Sequence, residues 1–110
     1  MTEFEIGFSK DNIAGGIRQS FEVLYNTSRL SSHDGELVAA ADGLYFFYTN
    51  NVEKTVKKPW CISYGEIAHW EKSGLAGYLI TLKDGNVLRF SNVFRKTRNA
   101  ISELLEQMAR

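Results

Sequence analysis

Cys61, His69 and Asp84 supply the residue types of a nucleophile, a base and a group to orient that base. A thiol acts as a nucleophile only beside such partners, and residue type is all that recommends this set. Cys61 follows Trp60 in a strand-like run and reads better as a small core residue. His69, between Ala68 and Trp70, reads as a half-exposed packing residue. The chain carries no P-loop, GxGxxG, GxSxG or HExxH pattern. Its carboxylates are scattered, with no spaced pair suited to acid/base work. One cysteine and two histidines, His33 and His69, cannot build a four-ligand zinc site of the N/S kind. No catalytic residue, metal ligand or cofactor is expected, and the chain is not expected to be an enzyme.

Charge and aromatic clusters offer binding chemistry instead. Lys54, Lys57 and Lys58 stand against Glu53 alone. They could meet anionic lipid head groups at about 1 kcal/mol each, or form a solvated loop whose lysines discourage edge-to-edge sheet pairing. Arg95, Lys96 and Arg98, with Arg89 nearby, fall where a last helix begins. The helix dipole disfavours cations there, and no acidic residue lies between Asp84 and Glu103 to offset it. Either Glu3, Glu66 or Glu71 pairs with them in three dimensions, or an external anion does. In LYFFY (44–48) adjacent side chains point oppositely, so Tyr45 and Phe47 share one face and Leu44, Phe46 and Tyr48 the other. The pair turned away from the core needs cover from residues 9–25, from another subunit, or from a ligand. The N-terminal segment is the simplest cover, and a homo-oligomer formed through aromatics and strand edges is the second.

The elements that position these residues follow from period and punctuation. Residues 2–8 alternate, placing Phe4, Ile6 and Phe8 on one face of a strand. Ile13, Ile17, Phe21 and Leu24 then recur at helical spacing over 9–25, with Gly15-Gly16 weakening a helix and a strand over FEVLY competing. NTSRLSSHDG (26–35) reads as a polar connection. ELVAAA and LYFFYT flank Asp42-Gly43, a strong hairpin signal. Small side chains at Ala39, Ala40 and Ala41 would admit close packing against something bulky. WCISY, EIAHWEKS, GYLITL and VLRFS read as further strands, and Lys83-Asp84-Gly85-Asn86 as a hairpin turn. The last is an amphipathic helix over 92–109, capped by Ser91 or Asn92, with Phe94, Ile101, Leu104, Leu105 and Met108 as its apolar stripe. Residues 1–30 form an N-terminal strand/helix arm, 36–91 the strands.

At 110 residues the chain makes one domain. Thirteen basic residues balance thirteen acidic ones, so a general electrostatic grip on nucleic acid is not expected. No signal peptide and no apolar run near the ~18 residues of a bilayer span is present. A cytoplasmic, soluble module is expected.

The order DG-LYFFY, ISYGEI, GYLITLKDG, LRFSN and terminal helix resembles the pleckstrin-homology-like superfold, especially its GRAM and small bacterial PH-like branches. Ile62 to Ile67, Leu82 to Gly85 and Phe90 carry the match, over about residues 36–110. The resemblance implies a mainly β, α+β fold: a curved antiparallel sheet or partly open barrel capped by the C-terminal helix. Its seventh strand must come from 52–57 or from the arm. It implies a binding module for a protein partner, a second copy or, alternatively, anionic lipid. Family members that grip phosphoinositides use basic residues around the first hairpin loop; that loop would be Ala41-Asp42-Gly43, short and acidic.

Overall fold

Strand alternation sorts nearly every large side chain of this protein into one of two layers. The computed structural model describes residues 1–49 and 57–110, so Lys54 lies outside the described residues. Among the described residues, eight strands precede one helix: β1 (Thr2–Glu3), β2 (Ile17–Asn26), β3 (Ser32–Ala40), β4 (Gly43–Tyr48), β5 (Trp60–Ser63), β6 (Ile67–Ser73), β7 (Gly77–Leu82), β8 (Val87–Ser91) and α1 (Arg95–Met108). All pair antiparallel in one open sheet of order β1-β5-β4-β3-β2-β8-β7-β6. Of the two expected geometries, the sheet is the open one, and the expected mainly β class with a single C-terminal helix is what forms.

The larger layer collects alternate residues from seven strands. Phe21 and Val23, Leu37 and Ala39, Leu44 and Phe46, Trp60 and Ile62, Tyr78 and Ile80, Leu88 and Phe90 meet Ile101, Leu104 and Leu105 of α1. Burying such side chains stabilises the fold by roughly 1.5–3 kcal/mol each before ordering entropy is subtracted. Gly35 belongs to the same packing. A Cβ there would stand 2.1 Å from the ring of Phe46, so only glycine lets that ring lie against β3.

The smaller layer lies on the other side of β3–β5. Val38, Ala40 and Tyr45 are buried there with Ile13, and Phe4, Phe8, Phe47 and Cys61 pack against them. The expected close packing at Ala39 and Ala40 is present, with both fully buried, one in each layer, while Ala41 is exposed.

Three expectations for the first half of the chain are corrected. The helix over 9–25 does not form: a short 3-10 turn at Lys10–Asn12 leads to a long strand, β2. Its apparent period mixed residues of different destinations, because Ile13 joins the outer layer, Phe21 the inner one, and Ile17 is exposed. Residues 2–8 are not one strand either. β1 ends at Glu3, the chain turns with the Phe8 amide donating to the Glu5 carbonyl, and Ile6 is left exposed. The polar connection expected over 26–35 narrows to 27–31, since β2 runs to Asn26 and β3 begins at Ser32. Residues 1–30 therefore include an arm, 1–16, and the sheet strand β2; the further strand expected from 52–57 or the arm is thus found in the second place, and 52–56 lie outside the described residues.

At the other end, Asn92 adopts a left-handed backbone (φ 57°). The chain turns there, and α1 begins at Arg95 with Phe94 as its N-cap, without a side-chain cap. Neither Ser91 nor Asn92 caps the helix, and Phe94 is 62% exposed rather than part of the apolar stripe.

Candidate binding surfaces

The three candidates for thiol chemistry are held by separate local structures. Cys61 pairs with Tyr45 and Thr2 across the β4·β5 and β1·β5 ladders. Burial, followed by the charges of Asp42 and Glu66, pushes its thiol pKa up, which is the opposite of activation. His69 faces Glu71 at 3.9 Å on exposed β6. Asp84 accepts from the amide and side chain of Asn86 inside the β7–β8 turn.

The basic runs fall on different elements. Lys57 and the exposed Lys58 lead into β5 through buried Pro59. Arg95 and Lys96 are exposed on the first turn of α1. Arg98 is anchored to the β6–β7 turn, where its Nη1 donates to the Gly74 carbonyl at 2.9 Å. A second bond, from the Val93 amide to the Ala76 carbonyl at 2.8 Å, fixes the start of the helix against the same turn. Leu75, 95% exposed, and Phe94 each stand one residue from that bond. Two exposed apolar residues thus flank one backbone bond, and the exposed Arg95 and Lys96 follow Phe94 in sequence. Glu3, Glu66 and Glu71, considered as internal partners for these cations, are engaged elsewhere in part: Glu66 with the Met1 ammonium at 2.7 Å, Glu71 with His69.

Sequence reasoning missed a further basic feature, because it preferred a helix over 9–25 to the competing strand over FEVLY, which lies within β2. The hairpin loop between β2 and β3, residues 27–31, presents Arg29 and the 97%-exposed Leu30. Asn26 pairs across to Arg89 of β8, and Arg29 and Arg89 line a hollow of about 440 Å³ with Tyr25, Asn26, Thr27, Ser28 and Val87. The signal was the polar run Asn26 to Ser32 with Arg29 and Leu30 in its middle, masked by the helical spacing before it.

Tyr45 and Phe47 lie under the arm. Tyr45 is 7% exposed and Phe47 half-buried. Phe4 and Phe8 stack on each other at 4.1 Å; Phe4 lies 5.8 Å from Tyr45, and Phe8 lies 6.2 Å from Tyr45 and 6.1 Å from Phe47. The Tyr45 hydroxyl donates to the Asp42 carboxylate, and burial first, then that bond, raises its pKa to about 12.

No protein-family model matches the sequence, and no curated protein matches it. Solved structures do share the architecture. The C-terminal domain of an unknown protein from Leishmania infantum superposes with TM-score 0.67 at 20% identity, covering 83% of this chain and 82% of that one. The DH/PH domain of human ARHGEF11, in a ternary complex with human RhoA and its inhibitor, gives 0.62 at 12% identity, and the DH/PH fragment of PDZRHOGEF in complex with human RhoA gives 0.60 at 13%. The fold is PH-like. This chain covers 83% of itself but only 28% of each DH/PH chain, and at these identities the likeness concerns fold alone. In this PH-like sheet the hairpin at Ala41-Asp42-Gly43 is the second of the meander and the β2–β3 loop is the first. The acidic loop is therefore not the one the family resemblance pointed to. No helix of the described residues is long and apolar enough to cross a membrane.

Proposed function

We propose that this chain is a non-enzymatic PH/GRAM-like binding module of the cytoplasm that works through protein contacts. The observation that carries this reading is the exposure of Leu75 and Phe94, on either side of the Val93–Ala76 bond, with exposed Arg95 and Lys96 next in sequence. Two large apolar side chains held outside the core on a hydrogen-bonded turn are what a protein partner's surface can bury. Protein partners in the RhoA complexes of two similar structures support the same class of role. The raised thiol pKa of Cys61 and the local engagement of His69 and Asp84 support a non-catalytic reading. The test is affinity capture from cell extract with wild type and Leu75→Ser/Phe94→Ser. Both positions are exposed, so melting should hold while the captured set is lost. Capture unchanged in the variant would reject the patch as the contact surface.

Anionic lipid is the second reading, and Leu30 favours it. An almost fully exposed leucine at a loop tip beside Arg29 and near Arg89 has the chemistry of a shallow membrane contact. Flotation with anionic and neutral vesicles at low and high salt separates the two readings. Arg29→Glu/Arg89→Glu tests this loop, and Lys57/Lys58/Arg95/Lys96→Glu tests the other cations. Salt-sensitive binding to anionic vesicles, lost in either variant, would make the chain a membrane module.

A further inference from the structure

The arm is attached in a manner unlike any other part of the sheet. β1 contributes two residue pairs, Thr2↔Cys61 and Glu3↔Trp60, followed by one bond from the Phe4 amide to the Pro59 carbonyl at 2.8 Å. Beyond those, it rests on the Met1 ammonium to Glu66 at 2.7 Å, the Phe4 and Phe8 rings over Tyr45 and Phe47, buried Ile13, and Lys10 Nζ to the Glu36 carboxylate at 2.9 and 3.0 Å. Its seating is incomplete. A hollow of about 210 Å³ remains between Ile6, Phe8, Ser9 and Lys10 of the arm and Phe47, Tyr48 and Pro59 beneath it.

The arm is joined to β2 through Ala14, Gly15 and Gly16, all exposed. Gly15 and Gly16 both have left-handed backbones, φ 80° and 76°. Space does not demand glycine here. A Cβ on Gly16 would meet nothing within 4 Å, and one on Gly15 would meet only the Ala41 Cβ at an ordinary 3.7 Å. The demand comes from the reversal that folds the arm back onto its own sheet.

We propose that residues 1–13 exchange between two copies of this chain, the arm of each lying on β5 and the Tyr45–Phe47 face of the other. The partner is a second copy because its arm carries the fitting chemistry by construction: an extended Thr-Glu-Phe for the β5 edge, a second phenylalanine four residues on, and Lys10 for Glu36. The contacts are the same within a chain and between chains, so the balance rests on the hinge and on concentration. A short tether holds the arm at an effective concentration on the order of millimolar, which keeps dilute wild type closed. Exchange lets the hinge extend and frees both glycines from the left-handed region. Alanine at both positions disfavours the closed hinge alone, by about a hundredfold or more per chain.

The test uses the full chain and its one native thiol. Thr2→Cys places a second thiol directly opposite Cys61, within the Cα separation a disulfide spans. After mild oxidation, denaturing non-reducing gels report whether the arm pairs within or between chains. Closed chains give a crosslinked monomer, and exchanged chains a covalent dimer. Gly15→Ala/Gly16→Ala should move the concentration for half-dimerisation down by about ten-thousandfold, because the hinges of two chains are relieved in each dimer, and convert the crosslink from monomer to dimer. Phe4→Ala/Phe8→Ala added to the hinge variant should return it to monomer. A crosslink confined to single chains up to millimolar concentration, in both hinge backgrounds, overturns the proposal. So does a solution dimer whose crosslink remains within each chain. If the hinge variant fails to fold, as judged by near-ultraviolet dichroism, the Thr2→Cys protein with its native hinge decides at millimolar concentration by the same two gel outcomes.

Discussion

The two faces of strands β3–β5 are equally dry where they are deepest, yet they are built differently. On the inner face Leu37, Leu44, Phe46 and Ile62 pack against residues of β2, β7, β8 and α1. On the outer face, among the described residues, Val38, Ala40 and Tyr45 are covered by the arm. Inner contacts are enforced by ladders of up to nine residue pairs, whereas the arm has two. Burial alone is therefore a poor guide to which parts of this PH-like protein can come apart. What distinguishes the layers is how much backbone pairing must break before a side chain is released.

Truncation should separate the layers most clearly. Phe46→Ala removes a fully buried ring from the inner layer and should destabilise the protein by about 3–5 kcal/mol in denaturant melts. Gly35→Ala tests the same contact from the other side. Its Cβ collides with the Phe46 ring and should cost about 1–3 kcal/mol by the same measurement. Phe8→Ala in the outer layer should cost only about 1–2 kcal/mol, because its ring is half-buried and the arm can re-seat. A loss for Phe8→Ala equal to that for Phe46→Ala would erase the distinction between the layers.

A pH titration sharpens the comparison, because each layer holds one tyrosine with a pKa raised to about 12: Tyr64 inside, chiefly through burial, and Tyr45 outside, through burial and Asp42. A phenol whose folded pKa exceeds its unfolded value stabilises the fold fully below the unfolded value near 10. That stability is lost as pH rises toward 12. Unfolding free energy should therefore fall across that window. Phe4→Ala/Phe8→Ala should lower the phenolate transition of Tyr45 while leaving that of Tyr64, whose hydroxyl donates to the Ala40 carbonyl at 2.7 Å. The smallest effect concerns Cys61. Its raised pKa predicts slower alkylation than a free thiol near pH 8, and loss of the arm's phenylalanines should speed it.

The second half of the chain was legible because each strand there has one buried face: Trp60, Ile62 and Tyr64, then Tyr78, Ile80 and Leu82, kept a clean period of two. The first half was not, because its apolar residues serve two layers. Ile13 and Phe21 look like neighbours on a helix yet end on opposite sides of the sheet's middle strands. That misreading hid β2, and with it the β2–β3 loop with Arg29 and Leu30. The pair Tyr45 and Phe47 was recognised as needing a cover, expected from residues 9–25; the cover comes from Phe4 and Phe8, ahead of that segment, with Ile13. Leu75 could not be read as part of a surface from sequence alone. What brings it beside Phe94 is a pair of long-range bonds, Val93 to Ala76 and Arg98 to Gly74.

The seam between β2 and β8 carries a consequence for assembly. β2 through β5 is a run of sequence neighbours, and so is β6 through β8. Among the described residues, the strand ladder that joins the two runs consists of Leu24↔Ser91, Tyr25↔Phe90 and Asn26↔Arg89. Every other ladder after β1 closes between consecutive strands, so each meander can form from local encounters. The seam must bring together residues from opposite ends of the chain, and such non-local closure is the slow kind. Changes at Leu24, Tyr25 or Phe90 are therefore expected to slow refolding, in stopped-flow measurements, more than equally destabilising changes within either meander.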